Sequence, residues 1–152
     1  MYDLEEELSQ LRDALHEKQI DYALCGGLAV GIHGFPRATV DIDLLIRPED
    51  EPRVEGVAVS FGFNIKARPM SFSNGETEIR RISKIDPVDG EVLMLDLLLV
   101  TPALEHVWKS RQNVTWRDRD LCVVSREGLI ALKRLRSSKL DLADIEHLEA
   151  NS

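Results

Sequence analysis

Leu4, Leu8, Leu11 and Leu15 recur at spacings of three and four, which predicts an amphipathic helix over residues 3–18. Glu5, Glu6 and Glu7 at its start suit the positive end of a helix dipole. The apolar stripe reads as a packing element, with a partner helix as the alternative. Tyr22-Ala23-Leu24-Cys25 is a short apolar run and predicts a strand. Gly26-Gly27 then turns the chain into a short helix over residues 28–33, which Gly34-Phe35-Pro36 ends. A further apolar run, Val40-Ile42-Leu44-Leu45-Ile46, predicts a buried strand interrupted by Asp41 and Asp43.

Beyond it, Pro48 opens a helix to about Gly62, and Phe61-Gly62-Phe63-Asn64-Ile65 turns into another strand. Residues 71–83 read as one or two exposed strands with Asn74-Gly75 at the hairpin. Residues 92–100, after Glu91, are apolar on both faces apart from Asp96, so this strand belongs at the centre of a sheet covered on both sides. Thr101-Pro102 starts a short helix to Ser110 in which Trp108 packs. Val114–Trp116 and Leu121–Val124 form a strand pair about residues 117–120. Ser125 caps a helix through Leu129, Ile130, Leu132 and Leu135. A last helix runs from Asp141 to Leu148, where Asp141 and Asp144 share a face. The alternation of strands and helices predicts an α/β domain: a mixed, twisted sheet flanked by helices, with a small C-terminal helical portion at about 125–150.

The 152 residues fit one domain, 1–152, large enough to bury a core. The longest apolar run contains Asp96 and is far too short to span a bilayer. The acidic first twenty residues lack the apolar stretch of a signal peptide. Cys25 and Cys122 lie in apolar contexts without ligand spacing around them and read as reduced, buried thiols, so the expected location is cytoplasmic, with no membrane partner. The net charge of −8 argues against nonspecific nucleic-acid binding, and no DNA partner is expected. The charge is uneven: residues 107–139 hold nine bases against three acids. That segment is either a basic surface facing an acidic site or a solvated helix of mixed charge.

The chemistry concentrates between Cys25 and Arg47. Residues two apart on a strand share a face roughly 6–7 Å apart. Asp41 and Asp43 therefore point the same way, and two like charges so close repel unless a cation lies between them. Hard carboxylate oxygens suit Mg²⁺ or Mn²⁺, held jointly with substrate phosphates. Gly26 and Gly27 let the backbone approach a phosphate closely at a helix start. His33 reads as a ligand or as a structural helix-end histidine. Arg37 either contacts phosphate or neutralises the acidic pair. Asp96, alone in its apolar strand, is either a third ligand or the partner of an arginine. Among other motifs, the chain has no nucleophile elbow, Walker A loop or zinc-ligand cluster.

Gly26-Gly27, a thirteen-residue spacer and Asp41-Ile42-Asp43 resemble the signature of the DNA polymerase beta-type nucleotidyltransferase superfamily. Arg37-x-Thr39-x-Asp41-x-Asp43 is similar to the small bacterial AbiEii-like branch, the minimal nucleotidyltransferases. The C-terminal end resembles that branch as well: Lys133 matches its lysine, and Asp141 and Asp144 match its acidic pair. Arg136 and Lys139 are the alternatives for the base that precedes that pair. Gly27 stands where many members carry serine, so a hydroxyl contact to phosphate would be missing.

The resemblance implies a nucleotidyltransferase fold and a metal-dependent enzyme that moves a nucleoside monophosphate from an NTP, ATP among them, to an acceptor. It implies Asp41, Asp43 and Asp96 as metal ligands, with Lys133 completing the catalytic set. Gly26, Gly27, Arg37, Thr39, Lys133, Asp141 and Asp144 would bind nucleotide. tRNA, protein hydroxyls and small molecules are all candidate acceptors. A cognate antitoxin is a candidate partner if the chain is the toxin of a toxin–antitoxin pair. The alternative is a noncatalytic nucleotide- or protein-binding module on the same fold.

Overall fold

The computed structural model describes residues 1–36, 38–136 and 139–150, position 139 through its backbone alone. Asp3 caps helix α1 (Leu4–Glu17), its side chain accepting from the Glu6 amide at 3.1 Å. Leu8, Leu11 and Leu15 are buried as the leucine spacing predicts. Arg12 joins them at 2 % exposure, which the stripe did not announce. Its guanidinium bonds the Trp116 carbonyl and Asp13, and lies over the Trp116 ring at 5.2 Å.

Strand β1 (Ala23–Cys25) leads directly into helix α2 (Gly26–Ile32), so the helix starts on the glycines themselves. His33 closes α2 and its Nε2 lies 2.9 Å from the Val124 carbonyl, a structural tie between that helix and a segment next to β1. Strand β2 (Asp41–Ile46) follows. Val40, expected on its buried face, lies outside the strand and is 68 % exposed, because the ladder begins only at Asp41. A 3₁₀ turn (Pro48–Asp50) and helix α3 (Glu51–Ser60) come next, then β3 (Ile65–Lys66), β4 (Met70–Phe72) and β5 (Thr77–Ile85). The Asn74-Gly75 hairpin is present, with Ser73, Asn74 and Gly75 all at positive φ.

β5 is not the exposed strand that its rough alternation predicts. It lies inside the sheet, with β3 and β4 along one edge and β6 (Val92–Leu99) along the other. Its arginines are tolerated there because acids meet them: Arg80 reaches Glu78 at 3.3 Å and Arg81 reaches Asp96. A 3₁₀ turn (Pro102–Leu104) and helix α4 (Glu105–Lys109) bury Trp108. Strands β7 (Gln112–Trp116) and β8 (Arg119–Val123) join through Arg117 and Asp118, both in the left-handed region that a two-residue hairpin requires. Helix α5 (Arg126–Arg136) is capped by Ser125, whose hydroxyl accepts from the Gly128 amide at 3.0 Å, and packs against α6 (Lys139–Ala150). Cys25 is buried and Cys122 only partly so, a correction to its expected burial; both are free thiols.

The sheet runs β3-β5-β6-β2-β1-β8-β7, with β4 also paired to β5. β2 is antiparallel to β1 and parallel to β6, so the sheet is mixed, as expected. Leu24 pairs with Leu44 and Cys25 with Asp43, so these two pairs point to opposite faces. Leu24 shares a groove with Leu8 of α1 on one face, while Cys25 and Asp43 meet Leu129 and Lys133 of α5 on the other. Ile42, Leu44, Leu95 and Leu97 are at most 1 % exposed between these layers. Each such side chain contributes about 1.5–3 kcal/mol through burial, which makes this the rigid base on which the carboxylates stand. Among the described residues, no helix is long and apolar enough to cross a membrane.

Candidate active site

Three adjacent strands bring the acidic residues together. Cys25, the last residue of β1, pairs with Asp43, and Asp43 is level with Asp96 on β6. Asp41 precedes Asp43 by two residues and shares its face. One oxygen from each of Asp41, Asp43 and Asp96 lies within 4.8 Å of the others. The Thr39 hydroxyl donates to Asp41 Oδ1 at 3.1 Å. Arg37 lies outside the described residues.

Asp96 is 5 % exposed, whereas Asp41 and Asp43 keep partial solvent contact. Even so, the Asp43 carboxyl is pushed up from 3.8 to about 8, first by burial and then by repulsion from Asp41 and Asp96. Arg136 and Lys133 offset that only in part. Burial, and next the Asp43 charge, likewise push the Cys25 thiol well up, so it stays protonated. A set of three hard oxygen donors, crowded enough that one holds a proton near neutrality, fits a divalent cation.

Gly26 makes room for this arrangement. It sits at φ +70, and a Cβ on it would lie 2.0 Å from Asp43 Oδ2. Gly27 is buried and lines the groove that holds Leu8 and Leu24, so Gly26 alone of the two borders the acidic site.

Helix α5 supplies the cations. Lys133 is 4 % exposed, and its Nζ lies 3.0 Å from Asp144 and 3.8 Å from Asp141. Arg136, one turn further on, donates Nε and Nη2 to Asp141 at 2.8 Å each. Arg136 thus meets Asp141 of the acidic pair, and the side chain of Lys139 lies outside the described residues. Asp141 and Asp144 are 0 % and 2 % exposed and hold these two cations. The rest of the basic segment is dispersed rather than gathered into one face. Arg117 pairs with Glu5 and Glu6, Arg119 with Asp13, and Arg134 with Glu149.

A pocket open to solvent, with a cavity volume of about 50 Å³, connects the two clusters. Gly26, Asp43, Lys133, Arg136 and Asp141 form its polar end. Phe72, Ile79, Leu98, Leu129, Leu132 and Leu135 form an apolar wall. Ser73 at the β4–β5 turn donates to the Leu135 carbonyl at 3.0 Å, tying that hairpin to the end of α5.

Sequence reasoning missed the wall and Arg81. Its Nε and Nη2 donate to Asp96 Oδ1 and Oδ2 at 2.7 and 2.9 Å. Asp96 is therefore paired with an arginine, one of the two readings weighed for it, and also faces Asp41 and Asp43. The only forewarning was an arginine in a strand, which burial opposite a lone aspartate would explain.

No protein-family model and no curated protein matches the chain. Solved structures do match its fold. The lincosamide antibiotic adenylyltransferase LnuA, solved with lincomycin bound, aligns over 97 % of this chain and 98 % of its own, with a TM-score of 0.64 and 15 % identity. ANT(2″)-Ia in complex with adenylyl-2″-tobramycin aligns over 96 % and 92 %, with a TM-score of 0.58 and 15 % identity. An antigenic nucleotidyltransferase-like protein from Paracoccidioides brasiliensis aligns over 94 % and 73 %, with a TM-score of 0.57 and 21 % identity. The mixed sheet and its flanking helices are those of the nucleotidyltransferase fold.

Proposed function

We propose that this chain is a nucleotidyltransferase that moves a nucleoside monophosphate from an NTP to a hydroxyl-bearing acceptor and releases pyrophosphate. The observation that carries the reading is the convergence of Asp41, Asp43 and Asp96 within 4.8 Å, beside the bare Gly26 turn and below Lys133 and Arg136. Asp41, Asp43 and Asp96 would hold Mg²⁺ or Mn²⁺. Such an ion, when bound, supplies charge stabilisation to the phosphoryl oxygens and favours ionisation of the attacking hydroxyl. Gly26 keeps the turn free of a side chain where phosphate approaches, while the part expected of Gly27 is limited to its place in the turn behind it. Thr39 orients Asp41. Lys133 and Arg136 stabilise negative charge on the departing pyrophosphate, and Asp141 and Asp144 aim them. The phosphate contact assigned to Arg37 rests on its place in the sequence alone.

The apolar wall favours a small-molecule acceptor over a polynucleotide, because six apolar side chains offer nothing to a phosphate backbone. LnuA and ANT(2″)-Ia, with their bound antibiotics, agree with that choice. The AbiEii-like spacing from Arg37 to Asp43 supports a narrower assignment, a toxin with an antitoxin as its partner. The noncatalytic alternative draws on one specific observation: Arg81 already satisfies both oxygens of Asp96 without a cation.

Incubation with alpha-labelled NTP, Mg²⁺ and three acceptor pools (the protein itself, total RNA and a small-molecule extract) separates these readings. Label entering the small-molecule pool with wild type and not with Asp41→Asn supports the enzyme and the acceptor class. Label in RNA or protein instead redirects the acceptor. Nucleotide binding without label in any pool supports the binding module.

A further inference from the structure

Arg81 stands directly across the ladder from Asp96, on the opposite side of β6 from β2. The Asp96 carboxylate therefore takes a guanidinium fork from one neighbouring strand and faces two carboxylates on the other. A planar, bidentate fork fixes a carboxylate in orientation as well as in charge. It occupies one lone pair on each oxygen and leaves the others for a cation. Asp96 itself is 5 % exposed and so has little water to hold it otherwise.

The charge count sharpens the point. Lys133 and Arg136 are matched by Asp141 and Asp144, so those four groups cancel formally. Among the described residues, Asp41, Asp43 and Asp96 against Arg81 leave a formal charge of −2, which one divalent cation neutralises. A second cation then needs further anionic oxygen, which a triphosphate brings.

From this we infer that Arg81 is a positioning residue: it aims Asp96 at the cation site and sets that site's charge, so that the free protein holds one divalent ion and a second enters only with nucleotide. The inference rests on the metal-assisted reading above. The guanidinium of Arg81 is engaged with both oxygens of Asp96. It acts through Asp96.

The test counts Mn²⁺ by electron paramagnetic resonance, in which the free ion is read directly, for wild type, Arg81→Met and Arg81→Lys. Wild type should bind one Mn²⁺ per chain alone and a second with a nonhydrolysable NTP. Arg81→Met removes the positive charge, so the free protein should take Mn²⁺ roughly tenfold more tightly or take two ions. Its kcat should nonetheless fall by roughly ten- to a hundredfold, with the NTP KM changed little, because Asp96 is no longer aimed. Arg81→Lys keeps the charge and should keep the wild-type Mn²⁺ count while losing kcat with the fork. It also serves as the readable variant should Arg81→Met fail to fold. If Mn²⁺ isotherms for wild type and the folded variants superimpose with kcat unchanged, Arg81 is structural and the inference is overturned while the site stands. A second Mn²⁺ bound by nucleotide-free wild type overturns it too. Wild type that binds no Mn²⁺ and transfers no label overturns the functional reading itself.

Discussion

Gly26 leaves empty the space that Asp43 occupies: a Cβ there would stand 2.0 Å from Asp43 Oδ2, and the backbone at φ +70 disfavours any side chain. Gly26→Ala should therefore cost about 1–2 kcal/mol in left-handed backbone strain alone. Displacement of Asp43 adds to that and removes most transfer activity. Gly27→Ala, at a residue off the pocket, should lose stability without the same loss of cation binding. Chemical denaturation and Mn²⁺ titration of both variants check this; equal Mn²⁺ affinity in Gly26→Ala and wild type would refute it.

Asp43 makes stability depend on pH in a direction unusual for a carboxyl. Its folded value of about 8 lies above the unfolded 3.8, so between them the folded chain holds a proton that the unfolded chain has released. That contribution to stability is complete below about pH 4 and is lost as pH rises toward 8. In EDTA, wild type should lose Tm relative to Asp43→Asn across pH 5.5–8.5. Parallel melting curves for the two proteins would show that Asp43 ionises normally.

Cation binding competes with that proton. The Tm increment produced by Mg²⁺ or Mn²⁺ with a nonhydrolysable NTP should grow from pH 6 to pH 8. Asp43→Asn should abolish it. An increment independent of pH, or one that survives in the Asp41/Asp43 double asparagine variant, places the ligand elsewhere.

Lys133 and Arg134 are neighbours in sequence with different fates. Lys133→Ala removes the ion pair at 3.0 Å with Asp144, which is 2 % exposed, and breaking such a buried pair costs about 3–5 kcal/mol. Arg134 pairs with Glu149 at the surface, 60 % exposed, and Arg134→Ala should cost under about 1 kcal/mol. Lys133→Met with Asp144→Leu should recover much of the stability and none of the lost transfer rate. Urea denaturation beside turnover measurements separates the two effects.

Elements with strong local patterns were legible in the sequence: α1 from its leucines, the β4–β5 hairpin from Asn74-Gly75, and α5 from Ser125. The acidic site was legible too, because Asp41, Asp43 and Asp96 break apolar runs where only a partner or a cation makes an ionised side chain tolerable. Arg81 was hidden because its meaning lies in register. Nothing local says that it falls opposite Asp96 rather than one residue away on the other face. Arg12 was hidden for a related reason: a buried arginine inside a leucine stripe looks like a surface residue until the Trp116 carbonyl and ring arrive from the far end of the chain. The apolar pocket wall draws residues from β4, β5, β6 and α5, each of which reads as ordinary core.

The place of β6 between β2 and β5 bears on how the protein is made. During synthesis Asp41 and Asp43 emerge together, long before Asp96, and the cations of α5 come later still. A partly made chain that has closed only the β1–β2 hairpin carries two repelling carboxylates and nothing to complete them. Inserting β6 brings the third carboxylate into register with the first two. The cluster of three carboxylates therefore belongs only to a chain that has placed β6 beside β2.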